Sequence, residues 1–185
     1  MKTTFCLLLL ILLTALGFGL TGAGQNQEPA DGRNQILHDE FLNNLAGDWK
    51  LARKIRGHNV QNSAHAEWVL NHQFLFIHMK PAGDVHMKPA GDPSQYEAMI
   101  YIGYDNAGQC YVAHWIDIFG GRVSETLGYG KRNGNSIQFV FEYSDGTFHN
   151  TFTWNQDTKS WASFMEQKDN NGKWATFAED TYRRS

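Results

Sequence analysis

From residue 48 onward the chain reads as one strand after another. Ten segments, 48–57, 63–70, 73–80, 95–104, 109–118, 121–130, 136–143, 147–154, 160–167 and 173–182, are rich in β-branched and aromatic residues at alternating positions. Turn-forming clusters separate them, among them Gly57-His58-Asn59, Asn133-Gly134-Asn135, Ser144-Asp145-Gly146, Asn155-Gln156-Asp157 and Asp169-Asn170-Asn171-Gly172. Ten sequential strands on short turns predict an all-β fold, a single up-and-down antiparallel barrel, because closure leaves no open edge. A two-sheet sandwich is the alternative.

The central hairpin runs from Tyr96 to Asp117. Asp105-Asn106-Ala107-Gly108 suits a type I turn closed by a left-handed glycine, which pairs Asp105 with Gln109. That register opposes Ile102 to Val112, Ile100 to His114 and Ala98 to Ile116 on one face. The other face carries Tyr101/Ala113, Met99/Trp115 and Glu97/Asp117. Ahead of the strands, Ile36, Leu37, Phe41, Leu42 and Leu45 recur at helical spacing between Asn34, a candidate N-cap, and Gly47, a candidate stop. The spacing predicts one amphipathic helix over 34–46, capping an end of the barrel.

Residues 1–24 predict a signal peptide: Lys2 gives a positive start, Cys6 to Leu16 is almost unbroken apolar sequence, and Thr21-Gly22-Ala23-Gly24 supplies small residues for cleavage. The apolar run is short for a membrane span, so a secreted or periplasmic chain with no stable membrane insertion after cleavage is expected. Residues 25–33 predict a flexible N-terminus and 34–185 the barrel domain. Cys6 leaves with the leader, and Cys110 alone cannot form an intramolecular disulfide. The 16 Lys and Arg against 19 Asp and Glu are scattered without a basic stripe, which argues against nucleic acid as a partner. The oligomeric state is left open.

Alternation assigns the interior. Trp49, Leu51 and Ile55 share a face with Arg53; Ala64, Ala66, Trp68 and Leu70 share one; Val123, Leu127 and Tyr129 share one with Glu125. Ile137, Phe139, Phe141 and Tyr143 follow, then Phe148, Phe152 and Trp154 with Asn150. The polar positions placed inside are therefore Arg53, His114, Glu125 and Asn150, joined by His78 at the end of Phe74-x-Phe76-x-His78. Parity in the last two strands stays unassigned.

Leu45-Ala46-Gly47-Asp48-Trp49 resembles the helix-then-Gly-x-Trp opening of the calycins, the lipocalins and their relatives, and Tyr182-Arg183-Arg184 resembles their closing arginine. With Ile102-Gly103-Tyr104-Asp105 and Trp115-Ile116-Asp117 in order between them, the chain is similar to a bacterial lipocalin-like family of unknown function. The resemblance implies that Gly47 turns the chain into the barrel and that Arg183 or Arg184 stacks on Trp49 as a structural closure. Some calycin-related ten-stranded barrels of the nitrobindin type hold haem through a histidine near the C-terminal strands. Here Trp161 to Tyr182 contains no histidine, which leaves only His114 or His149 for an axial role.

These readings converge on an interior that binds a small, largely apolar molecule, oriented by Arg53, His114 and Glu125 and lined by Phe76, Tyr129, Phe139 and Phe152. The structural alternative is a packed core in which Arg53 pairs with Glu125. An enzyme using His114 with Glu125 or Asp117 for proton transfer is the rival function, and Glu97 and Asp117 otherwise read as solvated acids near a rim. No catalytic residue is assigned, because the chain has no Gly-x-Ser-x-Gly and no phosphate loop opening a helix. The heptapeptide from His78 to Asp84 recurs from His86 to Asp92, which reads as a duplicated surface loop. Its H-x5-D spacing matches no tight metal site.

Overall fold

A computed structural model describes residues 36–83, 92, 95–169 and 171–185. The ten strands are β1 (Gly47–Ile55), β2 (His58–Val69), β3 (Phe74–Pro81), β4 (Ala98–Asp105), β5 (Cys110–Asp117), β6 (Leu127–Asn133), β7 (Ser136–Tyr143), β8 (Gly146–Asn155), β9 (Ser160–Lys168) and β10 (Trp174–Arg184). Each pairs antiparallel with its neighbours in sequence, and β1 pairs with β10 to close the barrel from Trp49↔Arg184 to Ile55↔Ala178. The sandwich alternative is set aside by that seam. Strand β2 begins at His58, five residues before the predicted start, because the tight turn is confined to Arg56-Gly57, both at positive φ.

The helix predicted over 34–46 is much shorter. The helical residues are α1 (Glu40–Asn43), capped by Asp39, whose Oδ1 accepts from the Leu42 N–H at 2.9 Å. Asn34 lies outside the described residues. Leu37 instead donates its backbone N–H to His72 O at 3.2 Å, which ties that segment to the β2–β3 turn. Leu45 bonds back to Leu42 O at 2.8 Å, tightening the last turn to an i→i+3 pattern before Gly47 reverses at φ +114°. Phe41, Leu42 and Leu45 are nonetheless buried, as their apolar spacing implied. Phe41 meets Trp161 edge-on at 4.8 Å, and Trp154 and Tyr182 pack beside them. Trp154, Trp161 and Tyr182 lie at the end of β8, the start of β9 and the end of β10, so one end of the barrel is closed by aromatic packing.

The hairpin register is one residue away from expectation. Asp105 pairs with Cys110, not Gln109, and the left-handed residue is Gln109 at φ +51°. The loop is thus four residues, held by the Ala107 N–H on Asp105 Oδ1 and the Gln109 side chain on Asn106 O. A slip of one residue exchanges the two faces of a strand. Tyr111, Ala113 and Trp115 therefore face inward with Ala98, Ile100 and Ile102, and His114 faces out beside Tyr101.

Residues 121–130 also differ. Gly121–Ser124 forms the helical turn α2, and β6 starts only at Leu127. On β6 the inward positions are Gly128 and Gly130, while Leu127 and Tyr129 are 37% and 52% exposed. The interior there is already filled: a Cβ on Gly128 would run into the Phe141 ring, and one on Gly130 would come within 2.6 Å of Gln138 O. Gly128→Ala is expected to cost about 1–3 kcal/mol through overpacking, read as a lowered urea midpoint. Tyr129→Ala, on the outer side of the same strand, is the control and should move it little.

Candidate functional site

Among the described residues the barrel's other end is open. There the strands ending at Ile55, Asp117 and Tyr143 and those starting at Gly146 and Trp174 surround a cavity of about 440 Å³. Arg53, Tyr96 and Met165 form its buried part, Phe141, Tyr143, Phe148 and Trp115 its walls, and Ile118, Phe119 and Val123 its exposed edge. Phe177 reaches the cavity through a bulge. Thr176 pairs with Glu166 and Ala178 with Met165, leaving Phe177 as the extra residue, packed edge-on against Phe148 at 5.4 Å.

Beneath the cavity a row of polar side chains crosses four adjacent strands. Arg53 on β1 donates Nε–H to Asp180 Oδ1 on β10 at 2.9 Å, with both side chains almost wholly buried. Asp180 pairs with Ser163 on β9, whose Oγ donates to Asn150 Oδ1 on β8 at 2.8 Å. Arg53 also points Nη1 at the thioether of Met79, 3.0 Å away, and lies 4.9 Å over the Tyr96 ring. Burial works against the Arg53 charge, yet Asp180, with smaller help from Tyr182 and Tyr96, offsets it and the guanidinium stays raised. Burial pushes the Asp180 carboxyl up, and Arg53 pulls it back. We take both as ionised, because neutralising either one would strand the other in the core.

Nearer the mouth a second chain of bonds converges on Asp117. Trp115 Nε1–H donates to the Tyr96 hydroxyl at 2.7 Å, Tyr96 donates to Asp117 Oδ2 at 3.0 Å, and the Phe119 N–H donates to Asp117 Oδ1 at 3.0 Å. Burial raises the Asp117 carboxyl, against those two hydrogen bonds. Burial likewise raises the Tyr96 phenol well above its ordinary value, with the nearby Asp117 charge adding to it. The Tyr143 phenol is pushed up to about 12 by burial and by Asp117 and Asp145. Asp117 is therefore part of the cavity rather than a solvated rim acid, and Ala98 stands opposite it in place of Glu97.

Of the residues assigned from sequence, Arg53 lines the cavity, whereas Phe139, Asn150 and Phe152 face inward but pack below it toward the closed end. Five assignments to the interior are corrected. On β3 the buried positions are Leu75, Ile77 and Met79, which puts Phe76 and His78 outside, where His78 Nε2 meets Glu97 at 2.7 Å. Phe74 and Phe76 are as apolar as Leu75 and Ile77 beside them, so alternation shows no contrast in the first half of that strand. His114 is displaced by the four-residue loop and bonds Ser124 O across an outer groove at 2.8 Å. Glu125 caps α2 on the surface, and Tyr129 lies outside because glycines hold the inner positions of β6. Arg53 pairs with Asp180 instead of Glu125, and the proton-transfer pairing of His114 with Glu125 or Asp117 loses its geometry.

The two histidines weighed for haem fit no better. The His149 ring lies 4.1 Å from the Trp174 ring at a tilt of 30°, and no described histidine lines the cavity. Among the described residues no group of three or more His, Cys, Asp or Glu is placed to hold a metal ion. Of the duplicated loop, Asp84 and all of the second copy except Asp92 lie outside the described residues, as do the leader and residues 25–33.

At the closed end Arg184 stacks 4.0 Å over Trp49 and donates to Ala46 O at 2.6 Å and Asn44 O at 3.0 Å. Arg183 faces out. A side chain at Gly47 would collide with the Arg184 guanidinium.

Sequence reasoning missed Tyr96, Trp115, Asp180 and Phe177, and weighed Asp117 only as a proton-transfer partner or a solvated acid near a rim. A signal existed for Asp180: once Tyr182 is set inward against Trp49, alternation carries Asp180 inward too.

The profile of a family described as Protein of unknown function (DUF1579) matches residues 36–184. No curated protein matches the chain.

Proposed function

The chain belongs to the DUF1579 family, whose function is unknown, and from its own residues we propose a lipocalin-like barrel that takes a small, largely apolar molecule into its open end. The observation that supports this reading is the cavity itself. Its volume of about 440 Å³ lies in the range of small-molecule sites, and its walls are aromatic with a few fixed polar groups. Packing that closes one end and leaves the other hollow suits a container better than a structural core. The predicted leader is consistent with a secreted or periplasmic setting, in which such a barrel would capture its ligand outside the cytoplasm.

Titration with N-phenylnaphthylamine, a neutral apolar fluorophore, tests the reading. One-to-one saturable binding is expected, weakened about tenfold by Phe177→Ala and unchanged by Tyr129→Ala on the outer surface. Absence of saturable binding, or equal sensitivity to both variants, would refute it.

A further inference from the structure

The charges around the cavity bear on what its ligand carries. Asp117 is a half-buried carboxylate whose two hydrogen-bond donors, the Tyr96 hydroxyl and the Phe119 amide, are both neutral. Among the described residues no lysine or arginine stands within ion-pair distance of it. A desolvated carboxylate without a counter-charge is costly, and the cost falls when a cation arrives.

The groups around that carboxylate are aromatic. Trp115 is hydrogen-bonded to Tyr96, the Phe119 ring lies 6.0 Å from the Tyr96 ring, and Tyr143 lies close enough to feel both Asp117 and Asp145. Ring faces attract cations, most strongly where water is excluded. The guanidiniums do not reverse this balance. Arg53 is already ion-paired with Asp180 at 2.9 Å, and Arg56 lies 5.1 Å over the Phe177 ring at the cavity's edge. An anionic ligand would meet the Asp117 and Asp145 carboxylates in the same cavity, where Arg53 is already paired.

We propose, building on the cavity reading, that the ligand is an apolar organic cation, a protonated amine or quaternary ammonium on an apolar body. Its charge lies at Asp117 among Trp115, Phe119 and Tyr143, and its body packs against Phe148 and Phe177. The site thus selects by charge as well as by size.

Calorimetric titration of the full chain with naphthylmethylamine, naphthylmethanol and naphthoate separates the possibilities, since the three share one apolar body. The amine is expected to bind about tenfold more tightly than the alcohol, with the carboxylate weakest. Asp117→Asn, which keeps the shape and the hydrogen bond accepted from the Phe119 N–H while its NH2 turns to donate to the Tyr96 hydroxyl, is expected to bring the amine down to the alcohol and leave the alcohol unchanged. The ranking on the unaltered chain stands whether or not the variant folds. A carboxylate that binds best, or a variant that weakens amine and alcohol alike, overturns the proposal. Alcohol binding without a preference for the amine overturns the cation while sparing the cavity, and failure of all three to bind overturns both.

Discussion

Arg53→Met should lower the stability of the barrel by about 3–5 kcal/mol at neutral pH, the usual consequence of leaving one partner of a buried ion pair alone. The variant keeps volume and apolar contact, so what it removes is the charge. Asp180 would then lose the Nε–H on its Oδ1, while its Oδ2 has no hydrogen-bond partner even with Arg53 in place. The pH dependence follows from the carboxyl being raised already by burial. Between the ordinary carboxyl value and the raised one, the folded variant holds a proton that the unfolded chain has lost, so its stability falls as pH rises through that window. Urea unfolding of Arg53→Met should therefore show its largest deficit at neutral pH and a smaller one in acid. Arg53→Met combined with Asp180→Leu should recover most of the loss, because it removes the stranded charge as well. A single variant that costs less than about 1 kcal/mol would mean that solvent reaches the pair.

Trp49→Ala is expected to cost about 3–5 kcal/mol, the range for deleting a wholly buried aromatic, and to lower the thermal midpoint accordingly. Trp49 has no solvent exposure, donates its indole N–H to Leu45 O at 2.7 Å, meets Tyr182 edge-on and lies beneath the Arg184 guanidinium. Its loss would open a void at the closed end and leave Leu45 O without a donor. Arg184→Ala should cost less, since that side chain is exposed and water can take over the Asn44 and Ala46 carbonyls. Equal losses from the two variants would place the closure in the arginine rather than in the packed ring.

The barrel was legible in the sequence because period-two alternation recurs across most of the chain, and because turn clusters divide it. Arg53 was legible for the same reason: it stands between Leu51 and Ile55 on a strand whose other face is lysine and alanine. Failures came where alternation carries no contrast or is interrupted. Strand β3 begins apolar on both faces, with Phe74 and Phe76 against Leu75 and Ile77. Strand β6 carries its inner face on glycines, so the bulky residues that look like core point outward. At the Asp105 turn, a left-handed Gln109 in place of Gly108 lengthens the loop and exchanges the faces of β5, which hid Trp115 and misplaced His114. Phe177 reaches the cavity only through a bulge, which strand periodicity cannot reveal.

The seam between the first and last strands also bears on how the barrel forms. Arg53 and Asp180 stand 127 positions apart, so this buried pair joins only after nearly the whole domain has been made. A contact that distant in sequence is slow to close, since the intervening chain must surrender its freedom first. Until β10 docks, β1 presents an open edge and an unneutralised guanidinium, and a nascent chain at that stage is exposed to aggregation. The pair therefore acts as a latch: it penalises every barrel that closes without its final strand.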